Sequence, residues 1–156
     1  MSSQTKTDYS AIHRRDKPAG LARFLLRCEM WLHARLLPFQ VRGKQLQQAL
    51  KLAQPTPRMF HFKNLSPAYI VKAVRRTTRR PWLMRDRRCF RQGLLTYRYL
   101  LHTGHQPQLH FGVEPDVVTN EKVKAHCWVT LDGKTVIGES DIPYIEVHVH
   151  ADHKAK

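Results

Sequence analysis

Acidic residues are few in this chain of 156: 12 Asp and Glu face 27 Lys and Arg, leaving a formal charge of +15 at neutral pH. That shortage creates a positive field that draws polyanions and acidic peptides alike. Cysteines number only three, Cys28, Cys89 and Cys127, without ligand-like spacing. An odd, scattered set argues against a disulfide framework and a zinc knuckle and fits a reducing compartment. Uninterrupted apolar runs are missing too. The most apolar stretch, Leu21 to Phe39, is broken by Arg23, Arg27, Glu29, His33 and Arg35, so it reads as a soluble amphipathic helix and not as a membrane span. Met1 to Lys17 lacks the apolar core of a secretory signal, and the expected location is the cytoplasm. Internal repeats and long low-complexity segments are absent as well.

What is present suits one compact domain, since a hydrophobic share of 42% can fill a single core at this length. Residues 1–17 have no period and read as a flexible N-terminal segment, 18–150 as the domain, and 151–156 as a polar tail. In the first helix Leu21, Phe24, Leu25, Cys28, Trp31 and Leu32 recur at helical spacing as one apolar stripe, which places Cys28 in the core, and Pro38 is expected to end the helix. Gln45 to Ala53 suits a short helix, and Pro55 and Pro57 then break the pattern. Ser66 and Pro67 form an N-cap with proline at the first helical position, predicting a helix up to Arg80 with Tyr69, Ile70, Ala73 and Val74 on its apolar face. After Pro81 an arginine-rich turn leads into a helix in which Phe90, Leu94, Tyr97 and Leu101 share a face, capped by Gly104.

From there the period changes to two. Leu109, Phe111 and Val113 alternate in one strand; Ala125, Cys127, Val129 and Leu131 alternate in the next, with His126, Trp128 and Thr130 on its other face. Asp132 and Gly133 are the favoured pair for a two-residue hairpin turn into an arm from Lys134 to Glu139, and Tyr144 to Val149 suits a further strand. The predicted class is α+β, with N-terminal helices packed on a small antiparallel β-sheet: 18–80 helical, 81–150 carrying the chemistry as the catalytic core.

Cys89 is the candidate nucleophile because it opens a helix directly after Arg87 and Arg88, a setting that favours thiolate. Cys28 and Cys127 both lie on apolar faces and read as core thiols. His126 is the candidate base. With Leu131 facing Lys134 across the turn, an unbroken ladder sets Glu139 opposite His126, at Cβ separations of roughly 4.5 to 5.5 Å. A carboxylate there would orient the imidazole as the third member of a triad, with Asp141 the alternative if a bulge shifts the register by two residues. The N–H of Cys89 is a candidate oxyanion donor, with Trp82 or Gln92 as a second. Arg85, Arg87, Arg88 and Trp82 are candidate contacts to substrate or partner.

These residues carry a family likeness. The run CFRQGLLTYRYLLHTG from Cys89, then LHFGV, then AHCWVTLDGKTVIGE resembles the leader peptidases of lasso-peptide biosynthesis. The form resembled is the stand-alone catalytic B protein of the transglutaminase-like, papain-like cysteine protease superfamily. LARFLLRCEMWLHARLLPF and IVKAVRRTTRRPW extend the likeness upstream, to cover roughly Leu21 to Glu139. Where the family has alanine after the histidine this chain has Cys127, and Glu139 stands near its usual aspartate. The resemblance implies a transglutaminase-like core, Cys89 as nucleophile, His126 as base, and no cofactor or metal. It implies removal of the leader from a ribosomal precursor peptide, with a separate leader-recognition protein and an asparagine-synthetase-like lasso cyclase as partners.

Three rival readings use the same residues. The basic run from Lys72 to Arg91, with Trp82 among it, suits a nucleic-acid-binding protein, although no known nucleic-acid motif accompanies it and no nucleic acid is expected. His148, His150, Asp152 and His153 alternate as a strand-borne metal site would, against a plain polar tail. A catalytically inactive peptide-binding module would keep the fold without the chemistry.

Overall fold

The computed structural model describes residues 20–54, 65–80, 83–115 and 124–151. Its order is α1 (Gly20–Val41), α2 (Leu46–Lys51), α3 (Pro67–Thr77), a 3-10 turn (Arg85–Arg87), α4 (Arg88–His102), β1 (Gln108–Val113), β2 (Ala125–Leu131), β3 (Lys134–Ile137) and β4 (Ile145–Ala151). Helices precede a four-stranded sheet of order β3-β2-β1-β4 whose pairings are antiparallel. The α+β class read from the period change is the observed one.

α4 is the centre of the molecule. It packs on β2 and β1 and also meets α1 and α3, so Leu94, Leu95, Tyr97, Tyr99 and Leu100 are buried around the helix. It approaches the sheet closely at Gly93, where a Cβ would lie 2.5 Å from Cys127 Sγ. Gly104, at φ +88°, ends it as a Schellman cap: its own N–H reaches Leu101 O and that of His105 reaches Leu100 O.

α1 departs from expectation twice. The stripe facing the core is Leu26, Met30, Ala34, Leu37 and Val41, while Leu21, Phe24, Cys28, Trp31 and Leu32 are exposed or half-exposed. The helix has two apolar stripes, and period alone does not say which one α3 and α4 cover. Cys28 is therefore a surface thiol and not a core one. Nor does Pro38 end the helix: burial of Leu37 and Val41 holds the last turn against the loss of one hydrogen bond.

α3 begins as the sequence predicts, with Ser66 Oγ accepting from Tyr69 N–H and Pro67 at the first position. It stops at Thr77, three residues short of the expected Arg80. Thr77 and Thr78 hydroxyls donate to the carbonyls four residues back, and the residue before Pro81 disfavours helical dihedrals.

In the β2–β3 hairpin Asp132 (φ +50°) and Gly133 (φ +73°) both adopt the left-handed conformation that a type I′ turn requires. Leu131 pairs with Lys134, as the turn dictates. The ladder then slips between Thr130 and Val129, which pairs with Ile137. β4 covers the other edge, with a further bulge opposite Phe111 and Gly112.

Candidate active site

Cys89 is the second residue of α4 and is half-buried. The first turn has no acidic side chain and no side-chain cap at Arg87, so its N–H groups leave the helix terminus partly positive. The thiol faces the sheet beside Cys127, whose own pKa is pushed well up by burial and, secondarily, by Cys89. Cys127 thus stays a protonated core thiol, as the alternation of β2 implies. Arg85, Arg87 and Arg88 stand exposed around this turn, whereas Trp82 lies outside the described residues.

His126 emerges from the face of β2 opposite Cys127. Its Nε2 lies 2.7 Å from the carbonyl oxygen of Gly138. A carbonyl only accepts, so Nε2 carries the proton and Nδ1 keeps its lone pair when the ring is neutral. The expected pairing with Glu139 is corrected here: the slip at Val129 shifts the partner strand by one residue, and a backbone oxygen occupies the orienting position. Glu139 and Asp141 are both exposed, and neither bonds a described side chain. Gly138 is required at this point, because φ is +84° and a Cβ would sit 2.6 Å from Cys127 O.

The imidazole is also stacked. Tyr144 covers it at 4.7 Å between ring centroids and Trp128 flanks it at 6.0 Å. Trp128 in turn stacks on His110 at 5.3 Å, and His110 is fixed at both ends, Nδ1 to Glu146 Oε2 (2.6 Å) and Nε2 to Thr130 Oγ1 (2.8 Å). Gly112, opposite His126, leaves room for this row: a Cβ there would meet both Trp128 and Tyr144 at 2.9 Å. Sequence reasoning missed Gly138, Tyr144, His110 and Glu146, since each enters through a bulge or through pairing with a strand distant in the chain. The glycine ending the hairpin arm was the one local signal.

Cys89 and His126 therefore sit on packed neighbours, α4 and β2, with no hydrogen bond between them. Gln92 is held elsewhere, its amide donating to Thr78 Oγ1 on the α3 side. His148 packs on Phe111 and His150 on Tyr97, while Asp152 and His153 lie outside the described residues. Among the described residues no three His, Cys, Asp or Glu side chains gather as a metal site would need.

Cys89 and His126 thus belong to packed elements but to opposite faces of β2, and comparison with known families is decisive about the fold. The sequence model of the transglutaminase-like superfamily matches residues 22–148. The chain belongs to that superfamily. No curated protein and no solved structure matches it. The transglutaminase-like match runs from the first turn of α1 into β4 and so contains Cys89, His126 and every residue that orients them. Among the described residues no helix of this transglutaminase-like chain is long and apolar enough to cross a membrane.

Proposed function

We propose that this protein is a cysteine peptidase that removes the leader from a ribosomally made lasso-peptide precursor in the cytoplasm, with Cys89 as nucleophile and His126 as general base. One observation carries the reading: a half-buried thiol in the first turn of α4 stands over the strand that bears an imidazole whose Nε2 proton is committed to Gly138. That tautomer leaves Nδ1 as the proton acceptor. Cys89 faces the sheet beside Cys127 whereas His126 leaves the opposite face of β2, so the proposal requires the imidazole or the start of α4 to move on substrate binding before Nδ1 meets the thiol.

In this mechanism Nδ1 takes the Cys89 proton as the sulfur bonds to the scissile carbonyl carbon. The adduct collapses with cleavage of the C–N bond, the imidazolium proton passing to the departing amine. Water then adds to the thioester, loses a proton to Nδ1, and releases the carboxylate fragment and the thiol. The N–H of Cys89, in the first turn of α4, is a natural donor to the oxyanion. Gly138 O serves as the positioning group, with Glu139 and Asp141 as the side chains to be tested beside it.

The substrate class is supported by the resemblance of Cys89 to Gly104 and Ala125 to Glu139 to the leader peptidases. It brings with it the proposed partners: a precursor peptide, a separate leader-recognition protein and an asparagine-synthetase-like cyclase. Incubating the protein with precursor, with and without the leader-recognition protein, and following masses tests the proposal. Cleavage at one bond by wild type and none by Cys89→Ala is expected; equal cleavage by both overturns it. A catalytically inactive peptide-binding module is the second reading, favoured by the open gap between Cys89 and His126. Binding of precursor without cleavage by wild type, partner present, would establish it.

A further inference from the structure

The exposed stripe of α1 does not end in solvent. Together with α3 and Leu83 it forms a groove of about 1370 Å³, with Phe24, Trp31, Leu32 and Leu83 as its apolar surface. Phe24 is 63% exposed, Trp31 52% with the Arg35 guanidinium 5.0 Å over its ring, Leu32 49% and Leu83 65%, so open apolar area is concentrated in this groove. Seven of the described residues lining the groove are arginines and none is acidic.

Arg91 is the most telling of them. Its side chain is 3% exposed, its Nη1 donates to Arg80 O, and its Nε is buried with no hydrogen-bond partner. No carboxylate of the described residues pairs with it. Burial and the neighbouring charge of Arg35 both lower its pKa, so the site is short of negative charge. A buried cation without a counterion is costly, and an incoming carboxylate relieves that cost.

We propose that this groove docks an acidic amphipathic segment of a separate polypeptide, its apolar side chains on Phe24, Trp31, Leu32 and Leu83 and its carboxylates on Arg76, Arg80 and Arg91. The occupant follows from charge. A second copy of the chain, at +15, is repelled, and residues 1–19 carry four Lys or Arg against two Asp, so the chain's own N-terminal segment has the wrong sign. Nucleic acid would satisfy the arginines but leave the aliphatic Leu32 and Leu83 without partners. A flat anionic bilayer does not reach a guanidinium as buried as Arg91. The groove lies on the α1 side of α4, and Arg91 is two residues, about 200° around the helix, from the sheet-facing Cys89. A segment held there is docked away from the thiol, as a partner is and a scissile bond is not. Helix-in-groove docking onto a basic, apolar cleft is a well-precedented mode.

The probe is a fluorescein-labelled synthetic peptide of about four helical turns, Glu on one face and Leu on the other, titrated with the whole protein by anisotropy. Saturable binding that weakens with added salt is expected, with Kd raised about tenfold or more in Trp31→Ala and in Arg76→Ala. Both positions are on exposed surface, and circular dichroism melts confirm folding. Cys89→Ala should bind as wild type does, which separates this surface from the proposed peptidase chemistry. Replacing the peptide's Leu by Ser should abolish binding. Equal affinity in wild type and both variants overturns the proposal. So does an oligothymidylate or an anionic vesicle binding with those variant losses while the peptide does not bind.

Discussion

His126 Nε2 donates to the backbone carbonyl of Gly138 over 2.7 Å, so the ring is oriented by a group that has no charge and never titrates. A carboxylate in the same place would add a countercharge to the imidazolium formed during reaction; a carbonyl supplies the tautomer and the direction only. Catalysis by this arrangement should therefore be insensitive to the nearby acids. Glu139→Gln and Asp141→Asn are expected to keep cleavage within about threefold of wild type, while His126→Ala abolishes it. Nitrogen-15 NMR of the imidazole should report the Nε2–H tautomer in wild type and in both acid variants. A large loss of kcat in Glu139→Gln with the tautomer changed would move the orienting role to that side chain.

Gly93 and Cys127 form a coupled pair in the core. An alanine Cβ at 93 would meet Cys127 Sγ at 2.5 Å, an overpacking that costs about 1 to 3 kcal/mol. Better helix propensity returns only about 1 kcal/mol. Gly93→Ala should lower the melting temperature, and adding Cys127→Ala should recover most of the loss. Additive effects in the double mutant would show that the contact does not limit packing.

The three thiols should differ in reactivity. Burial raises the Cys127 pKa, and the side chain is closed to solvent, whereas Cys28 is exposed and Cys89 half-buried at a helix N-terminus. Iodoacetamide at neutral pH is expected to label Cys89 and Cys28 in the native protein, and Cys127 only after denaturation. Peptide mapping by mass spectrometry reads this directly; early labelling of Cys127 would mean that the β2 face opens.

Acid should weaken the contact between α1 and α4. His33 Nδ1 and Tyr99 Oη are hydrogen-bonded at 2.7 Å, and burial, then the charges of Arg98 and His102, push the His33 pKa down to about 4 from 6.5. A depressed base binds fewer protons folded than unfolded, so its contribution is complete above pH 6.5 and is lost as pH falls toward 4. Burial lowers His102 too, in the same sense. Glu29 has the opposite sign, since burial raises its carboxyl and favours the protonated fold at low pH. Two histidines against one acid give a net fall in melting temperature from pH 7 to 4, and His33→Phe should flatten it.

Local chemistry explains what was legible beforehand. Ser66 with Pro67, Asp132 with Gly133, and Gly104 each act through backbone groups within five residues, so capping and turn rules place α3, the hairpin and the end of α4. Cys89 at a helix start and His126 on a strand are legible for the same reason, and the resemblance of the surrounding run pointed to the superfamily that the family comparison establishes over residues 22–148. The orienting partner of His126 was not, because a slip of one residue between Thr130 and Val129 replaces a side chain by a carbonyl.

The sequence by itself determined the elements, the period change from helices to sheet, the excess of positive charge and the two residues proposed for the chemistry. Tertiary structure alone decided which stripe of α1 is covered and which is left open beside Arg91, and which atom meets His126 Nε2. Both depend on how distant segments pack around α4 and on a bulge that no window of neighbouring residues encodes.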